Sequence, residues 1–160
     1  MPDIDIIKQM PYSLEAEQAL LGAIIIDTAL LNEAVTLRAD DFYIEHHKLI
    51  YNALKDLFSL NKNIDIVTLI NYINNSPKDS DFDNARYIKT LCELGAACTN
   101  ITDYIEIIKD KALLRSLIDA SRNISDKAFN DGGDAKRVVE YAEQQIYDLA
   151  GDNSNNGFVK

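Results

Sequence analysis

From Ile101 to Phe129 the chain contains neither proline nor glycine, and apolar residues recur at helical spacing: Ile101, Ile105, Ile108 and Ala112, then Leu114, Leu117, Ile118, Ile124 and Ala128. A helix over this span would run for roughly 45 Å at ~1.5 Å per residue, longer than an ordinary globular helix. Thr99 or Asn100 can cap its start, because a short polar side chain there accepts a bond from an orphaned backbone N–H. Asn130-Asp131-Gly132-Gly133-Asp134 stops it, glycine supplying the φ > 0 conformations of a tight reversal. Asp134 then caps a second helix over 135–150, with Val138, Val139, Ala142, Ile146 and Leu149 on one side and Gly151 as its C′ stop. A long helix reversing at Gly-Gly is a helical hairpin.

Two antiparallel helices bury one seam between them, and each needs its remaining apolar residues covered. The stripe of Leu114, Leu117 and Ile118, continued by Ile124, is too broad for one partner helix. A second copy of the hairpin would cover it, and so would an N-terminal bundle. If a copy does so, these four residues form the subunit contact.

The 160 residues suffice for one domain with an appendage, and 47% hydrophobic with 26% charged residues is ordinary for a globular protein. The formal charge of −10 argues against a nucleic-acid backbone as principal ligand, since neutralising phosphates needs clustered Lys and Arg. Any DNA binding by this chain is expected to be weak and to vanish at moderate salt. Cys92 and Cys98 fit neither a zinc knuckle nor a redox pair, so free thiols in a reducing cytoplasm are expected. The start lacks the basic n-region of a signal peptide, and apolar runs such as Leu20 to Ile26 are too short to span a bilayer.

Ahead of the hairpin the pattern is helical throughout. Residues 1–10 read as an N-terminal arm and 11–98 as a globular helical head, with the hairpin over 99–150. Ser13 caps the first helix, with Glu15 and Glu17 placing negative charge in its first turn. That helix is apolar nearly all round, which makes it central; Ile24-Ile25-Ile26 alone would also suit a strand, but no second strand pairs with it. Ala29 to Val35 reads as a short helix, and Asp40 to Tyr43 as a turn with two aromatic anchors. A helix over 45–60 turns His47, Ile50, Ala53, Leu54, Leu57 and Phe58 inward, and Asn61-Lys62-Asn63 closes it. Asp65 caps another, with Val67, Leu69, Ile70 and Ile73 inward. Asn74 to Asp83 is a polar loop, and Asn84 to Leu94 a helix ending at Gly95. Residues 151–160 read as a linker, Asp152-Asn153-Ser154-Asn155-Asn156-Gly157 having the composition of one, which suggests that a larger protein continues beyond it.

No Gly-x-x-x-x-Gly-Lys-Ser/Thr, Gly-x-Gly-x-x-Gly, His-Glu-x-x-His or Gly-x-Ser-x-Gly occurs. His46 and His47 point about 100° apart on a helix and do not easily chelate one ion. Glu15 and Glu17 lack an accompanying nucleophile or metal ligand, so capping is the favoured role. The expected sites are therefore no catalytic residue, no metal and no cofactor in this chain.

Several stretches resemble the N-terminal domain of the DnaB-type bacterial replicative DNA helicases. Pro11-Tyr12-Ser13-Leu14-Glu15-Ala16-Glu17-Gln18-Ala19-Leu20-Leu21-Gly22 is similar to the family's opening Pro-x-Ser-x-Glu-Ala-Glu-Gln-x-hydrophobic-Leu-Gly. Asp41-Phe42-Tyr43 with His47 and Ile50-Tyr51, Ile64 to Leu69, Asn100-Ile101 with Tyr104, and Leu113-Leu114-Arg115 with Leu117-Ile118 follow in register. One departure is Asp83-Asn84, where relatives often carry Gly-Gly.

The resemblance implies an all-α fold, a globular helical bundle head followed by a long antiparallel hairpin. It implies that hairpins pair, and that three pairs form the collar of a hexameric ring. Such a collar stacks on RecA-like ATPase domains that unwind DNA using ATP and Mg. It also receives the helicase-binding domain of primase and, in many bacteria, communicates with a loader. The motor domain is absent here, so this chain would be the assembly and docking module of a cytoplasmic helicase. A stand-alone helical regulator on the same fold is the alternative. For primase docking, Tyr87, Ile118 and Ile124 are the candidates, Tyr because it buries a large ring while keeping its hydroxyl at a wet rim. Tyr87 as a plain core residue of its helix is the competing reading.

Overall fold

A computed structural model describes residues 9–75, 83–131 and 133–157, without the side chains of 152–157. The described residues form six α-helices and two 3-10 segments, with no strand: α1 (Leu14–Ile26), α2 (Glu45–Ser59), α3 (Ile66–Asn74), α4 (Asn84–Gly95), α5 (Ile101–Asn130) and α6 (Ala135–Gly157). The 3-10 segments, Thr28–Asn32 and Ala39–Asp41, lie between α1 and α2. The all-α fold of head and hairpin is as expected.

Local chemistry sets the helix ends. Ser13 Oγ accepts from the Ala16 N–H (3.2 Å), Asp65 from Thr68 (2.8 Å), Asp83 from Arg86 (3.1 Å) and Asp134 from Arg137 (3.3 Å). Each satisfies one backbone donor that the first helical turn leaves open. At the end of α2, Asn61 adopts φ 56°; its N–H bonds the Phe58 carbonyl and the Lys62 N–H bonds that of Leu57, closing the helix as a Schellman motif.

The chain divides into two compact units, and the division falls inside α5 rather than at residue 98: one unit is Ser13–Asp110, the other Met1–Tyr12 with Lys111–Lys160. Ile101, Ile105 and Ile108 are part of the head core, which explains the cut. In the head, α1 is central as its composition demands, with Leu20, Leu21 and Ile24 fully buried. Packed around it are Phe42, Ile50, Leu54, Leu69, Ile73, Ile88 and Leu91.

α1 and α4 touch backbone to backbone. A Cβ on Gly22 would sit 1.8 Å from the Leu91 carbonyl oxygen, and one on Gly95 would sit 2.2 Å from the Ala23 nitrogen. Glycine is required at both positions by the approach itself. No such demand exists at Gly133, where a Cβ would meet nothing within 4 Å. Gly133 also lacks the positive φ that the turn was expected to take from glycine; Gly132 lies outside the described residues.

Four other readings differ. The Ala29–Val35 segment starts as a 3-10 turn, since Asp27 caps Ala29 (3.2 Å) and the chain must double back to bury Leu31, Ala34 and Leu37. The Tyr51 hydroxyl holds that return, donating to the carbonyls of Ala34 (2.9 Å) and Leu37 (3.0 Å). Val67, expected inward, is 68% exposed, because it lies about 160° around the helix from buried Leu69. Phe58, beside rather than on the Leu54–Leu57 face, is likewise exposed. α6 runs through Gly151 to Gly157, where a stop and a linker were expected. Glycine costs a helix only ~1 kcal/mol, and no proline follows to end it. The loop 76–82 lies outside the described residues.

In the hairpin unit, Arg115 is buried and its Nη1 donates to the Pro11 carbonyl (2.8 Å), fixing the chain ahead of α1. Across the reversal, Lys127 Nζ stands 5.3 Å from the Tyr141 ring centre and pairs with Asp131 (3.0 Å).

The backbone contact yields a sharp contrast. Gly22→Ala should destabilise the chain by ~3 kcal/mol or more, since neither neighbouring backbone can yield. Gly133→Ala should stay within ~0.5 kcal/mol of wild type. Urea unfolding of both variants tests this.

Candidate functional site

The most concentrated polar chemistry lies where α1, the start of α2 and α4 meet. Glu17 projects from the first turn of α1 and is 1% exposed, while Glu15 on the same turn is exposed. Its carboxylate does not serve its own helix. Oε2 accepts from the Tyr43 N–H (2.8 Å), and Oε1 from the Ile44 N–H (3.4 Å) and from His47 Nδ1 (2.7 Å). Glu17 thus holds the entry to α2, where Ile44 provides no side-chain cap. Phe42 alone of the two expected aromatic anchors is in the core; the Tyr43 ring is about one-third exposed and its backbone makes the tie.

On its other side the His47 ring meets Tyr87. Nε2 is 2.5 Å from the Tyr87 hydroxyl, and the two rings stack with centres 5.8 Å apart. Gln18 Nε2 donates to the same hydroxyl (3.2 Å). The Gln18 amide donates to the Tyr87 hydroxyl, and the His47 ring bridges that hydroxyl to Glu17 through its two nitrogens. Burial pushes the Tyr87 hydroxyl above its usual pKa, with the Glu17 charge adding to the rise against the lowering Gln18 bond. The Tyr87 hydroxyl is therefore held in place rather than poised to ionise.

A Glu–His–Tyr series suggests acid–base catalysis, but the geometry suits holding. Glu17 and His47 are sealed from solvent and line none of the described cavities. One recess among the described residues is lined by Asp83, Arg86, Tyr87 and Thr90. No group of three His, Cys, Asp or Glu among the described residues could hold a metal ion. Burial raises both thiols, Cys92 and Cys98, away from reactive thiolate.

The expected site residues fall in both units. Tyr87 belongs to the head and is half-buried, its hydroxyl turned inward onto His47 rather than to a wet rim. Leu114 and Leu117 are 44% and 41% exposed on α5, and Ile118 and Ile124 are half-buried there. Sequence reasoning placed His47 correctly in the core but missed Glu17 as its partner, because their pairing, thirty positions apart, depends on the fold of the chain between them.

An all-α head tied by a buried polar relay and extended by a helical hairpin defines the class of domain. The chain belongs to the family of DnaB-like helicase N-terminal domains, whose model matches residues 9–110. It is 34% identical over 140 residues to the replicative DNA helicase DnaB of Treponema pallidum, covering 87% of this chain and 32% of that protein. The DnaB of Pasteurella multocida is 30% identical over 142 residues, 88% of this chain and 30% of that one. The chain therefore spans about a third of the length of these relatives. The crystal structure of the N-terminal domain of DnaB helicase from Mycobacterium tuberculosis superposes with a TM-score of 0.79 at 29% identity, covering 87% of this chain and 99% of that one. No helix among the described residues is long and apolar enough to cross a membrane.

Buried tyrosines set the alkaline limit. Burial, with the Asp41 charge, pushes Tyr51 up to about 12. A raised tyrosine pKa favours the neutral form in the fold. Its stabilisation is full below the unfolded value of about 10 and is lost as pH rises through the folded value. Tyrosinate absorbance should show one late step near pH 12, coincident with loss of helicity, and Tyr51→Phe should remove it. Titration of all eight tyrosines below pH 11 with the helices intact would contradict the assignment.

Proposed function

We propose that this chain is the N-terminal assembly and docking domain of a bacterial replicative DNA helicase acting in the cytoplasm. Hairpins of neighbouring subunits pair, and three pairs build the collar of a hexameric ring. Primase docks on this domain through its helicase-binding domain, with Tyr87, Ile118 and Ile124 as contacts, and a loader is a further partner. Unwinding, with ATP and Mg, belongs to a motor domain outside this chain.

The observation that carries the reading is the family match through the head together with the hairpin's uncovered apolar residues. Leu114 and Leu117 are exposed on a helix that would otherwise gain by turning them inward. Beside them, Ile118 and Ile124 widen the stripe. A charge of −10 keeps such a surface from indiscriminate association and disfavours DNA as its occupant.

Replacing Leu117 and Ile118 together by Asp should abolish self-association, since burying an unpaired carboxylate in an apolar contact costs more than the ~2–7 kcal/mol of an unpaired neutral polar group. Light scattering across a concentration series measures this, with far-UV circular dichroism confirming retained helicity. A variant that associates like wild type removes these residues from the contact; one that unfolds places them in the intramolecular core.

A further inference from the structure

The chain ahead of α1 is fastened to α5. Arg115 is 9% exposed and its Nη1 donates to the Pro11 carbonyl at 2.8 Å, while Met10, Pro11 and Tyr12 are half-buried. Residues up to Tyr12 and those from Lys111 onward belong to the same compact unit. The two flanks of the anchor differ. On one stand Lys111, Ile118 and Leu114, about 40°, 60° and 100° round the helix from Arg115. Leu114 is 44% exposed, and Lys111 and Ile118 are half-buried. On the other flank, about 100° round, stands exposed Ser116. An apolar surface edged by a cation thus begins where the chain ahead of α1 is tied down.

We propose that this flank is the docking surface of the chain's own N-terminal segment, Met1–Lys8, which lies outside the described residues. Reach, composition and charge select this occupant. Eight residues span at most ~26–29 Å, whereas Leu114 and Ile118 are within ~5 Å of Arg115 along the α5 axis. Being joined to Pro11, the segment meets the surface at an effective concentration in the mM range. Ile4, Ile6 and Ile7 supply apolar side chains for Leu114 and Ile118. Asp3 and Asp5 supply carboxylates for Lys111 and Arg115. On a chain of net charge −10, an acidic segment is drawn to a Lys and an Arg one helical turn apart. The docking stands whether or not hairpins pair; its effect on self-association rests on the proposed pairing. Leu114 and Ile118 are two of the four residues assigned to the subunit contact, so the docked segment shields half of it. Leu117 and Ile124, about 160° and 180° from Arg115, stay uncovered.

Disulfide trapping in the full chain tests the docking, with Cys92→Ala and Cys98→Ala removing the native thiols. Ile6→Cys is combined in turn with Ile118→Cys, with Leu114→Cys and with Ser116→Cys, the last a control at similar tether length on the other flank. Mild oxidation at high dilution should give an intrachain disulfide with Ile118→Cys or Leu114→Cys and little with Ser116→Cys, read by mass without reductant. The bond needs Cα atoms ~4.4–6.8 Å apart, so a free tether would not produce that bias. Equal yields at the three positions, or none, would overturn the docking. Disulfides found only in dimers would give the surface to a second copy's segment and overturn the own-chain occupant. Asp3→Lys with Asp5→Lys should lower the yield ~3-fold or more, and adding Lys111→Glu should restore it in part; an unchanged yield would overturn the charge match. Removing residues 1–8 should tighten self-association ~10-fold or more by light scattering, with far-UV circular dichroism unchanged. Wild-type association after that removal, beside an intact intrachain disulfide, would uphold the docking and take Leu114 and Ile118 out of the subunit contact, which separates the two readings.

Discussion

The backbone contact between Gly22 and Gly95 is the constraint on which the head depends. With no Cβ on either side, α1 and α4 approach until the Leu91 carbonyl stands where a Gly22 side chain would begin. Any other residue would push the helices apart and displace everything placed by their separation. One turn before Gly22 on α1 lies Gln18, and one turn before Leu91 on α4 lies Tyr87; these two meet at 3.2 Å. The polar relay is therefore a consequence of the close crossing. Leu21 and Leu91 are fully buried along the same line, so apolar packing and hydrogen bonding are satisfied by one geometry.

Burying Glu17 is costly, and the arrangement shows how the cost is met. An isolated carboxylate in an apolar interior would neutralise rather than stay charged. Here it receives two backbone N–H groups and an imidazole N–H, all within 3.4 Å. In exchange, it satisfies donors at the start of α2 that no capping side chain serves. Such a tie adds less to stability than an apolar triad of the same volume, but it admits one register only. The entry to α2 is fixed in direction, and with it the face that sends Ile50, Leu54 and Leu57 into the core.

What could be read from the sequence was what acts locally. Ser13, Asp65 and Asp134 cap helices because each bonds an N–H three residues away, and a run of 29 residues without Gly or Pro can hardly be anything but helix. The central position of α1 followed from its apolar circumference. Long-range events left no such trace. Nothing near Glu17 marks it as different from Glu15, yet one is sealed and the other exposed, since position 17 alone faces the α2 entry. Gly95 ends α4 as its type suggested, but it is also a contact surface, which nothing local announced. Gly151 looked like another terminator and is passed over within α6, because a glycine permits a stop without enforcing one.

Head and hairpin are held by different forces, and the contrast bears on assembly. In the head, helices as short as the nine residues of α3 persist because tertiary burial sustains them. The hairpin instead relies on length and on surface pairs such as Lys127 with Asp131 and Gln144 with Asp148. These are worth only ~0.2–0.5 kcal/mol each. Meanwhile Phe129 is 88% exposed, and Leu114, Leu117, Val139, Ile146 and Tyr147 are open as well. Fully covering one such aliphatic or aromatic side chain stabilises by ~1.5–3 kcal/mol, so two or three of them outweigh the hairpin's surface pairs together. In the proposed collar, then, pairing would add apolar burial to helices that length and surface pairs already hold. It would raise the hairpin's stability without being required for its helicity.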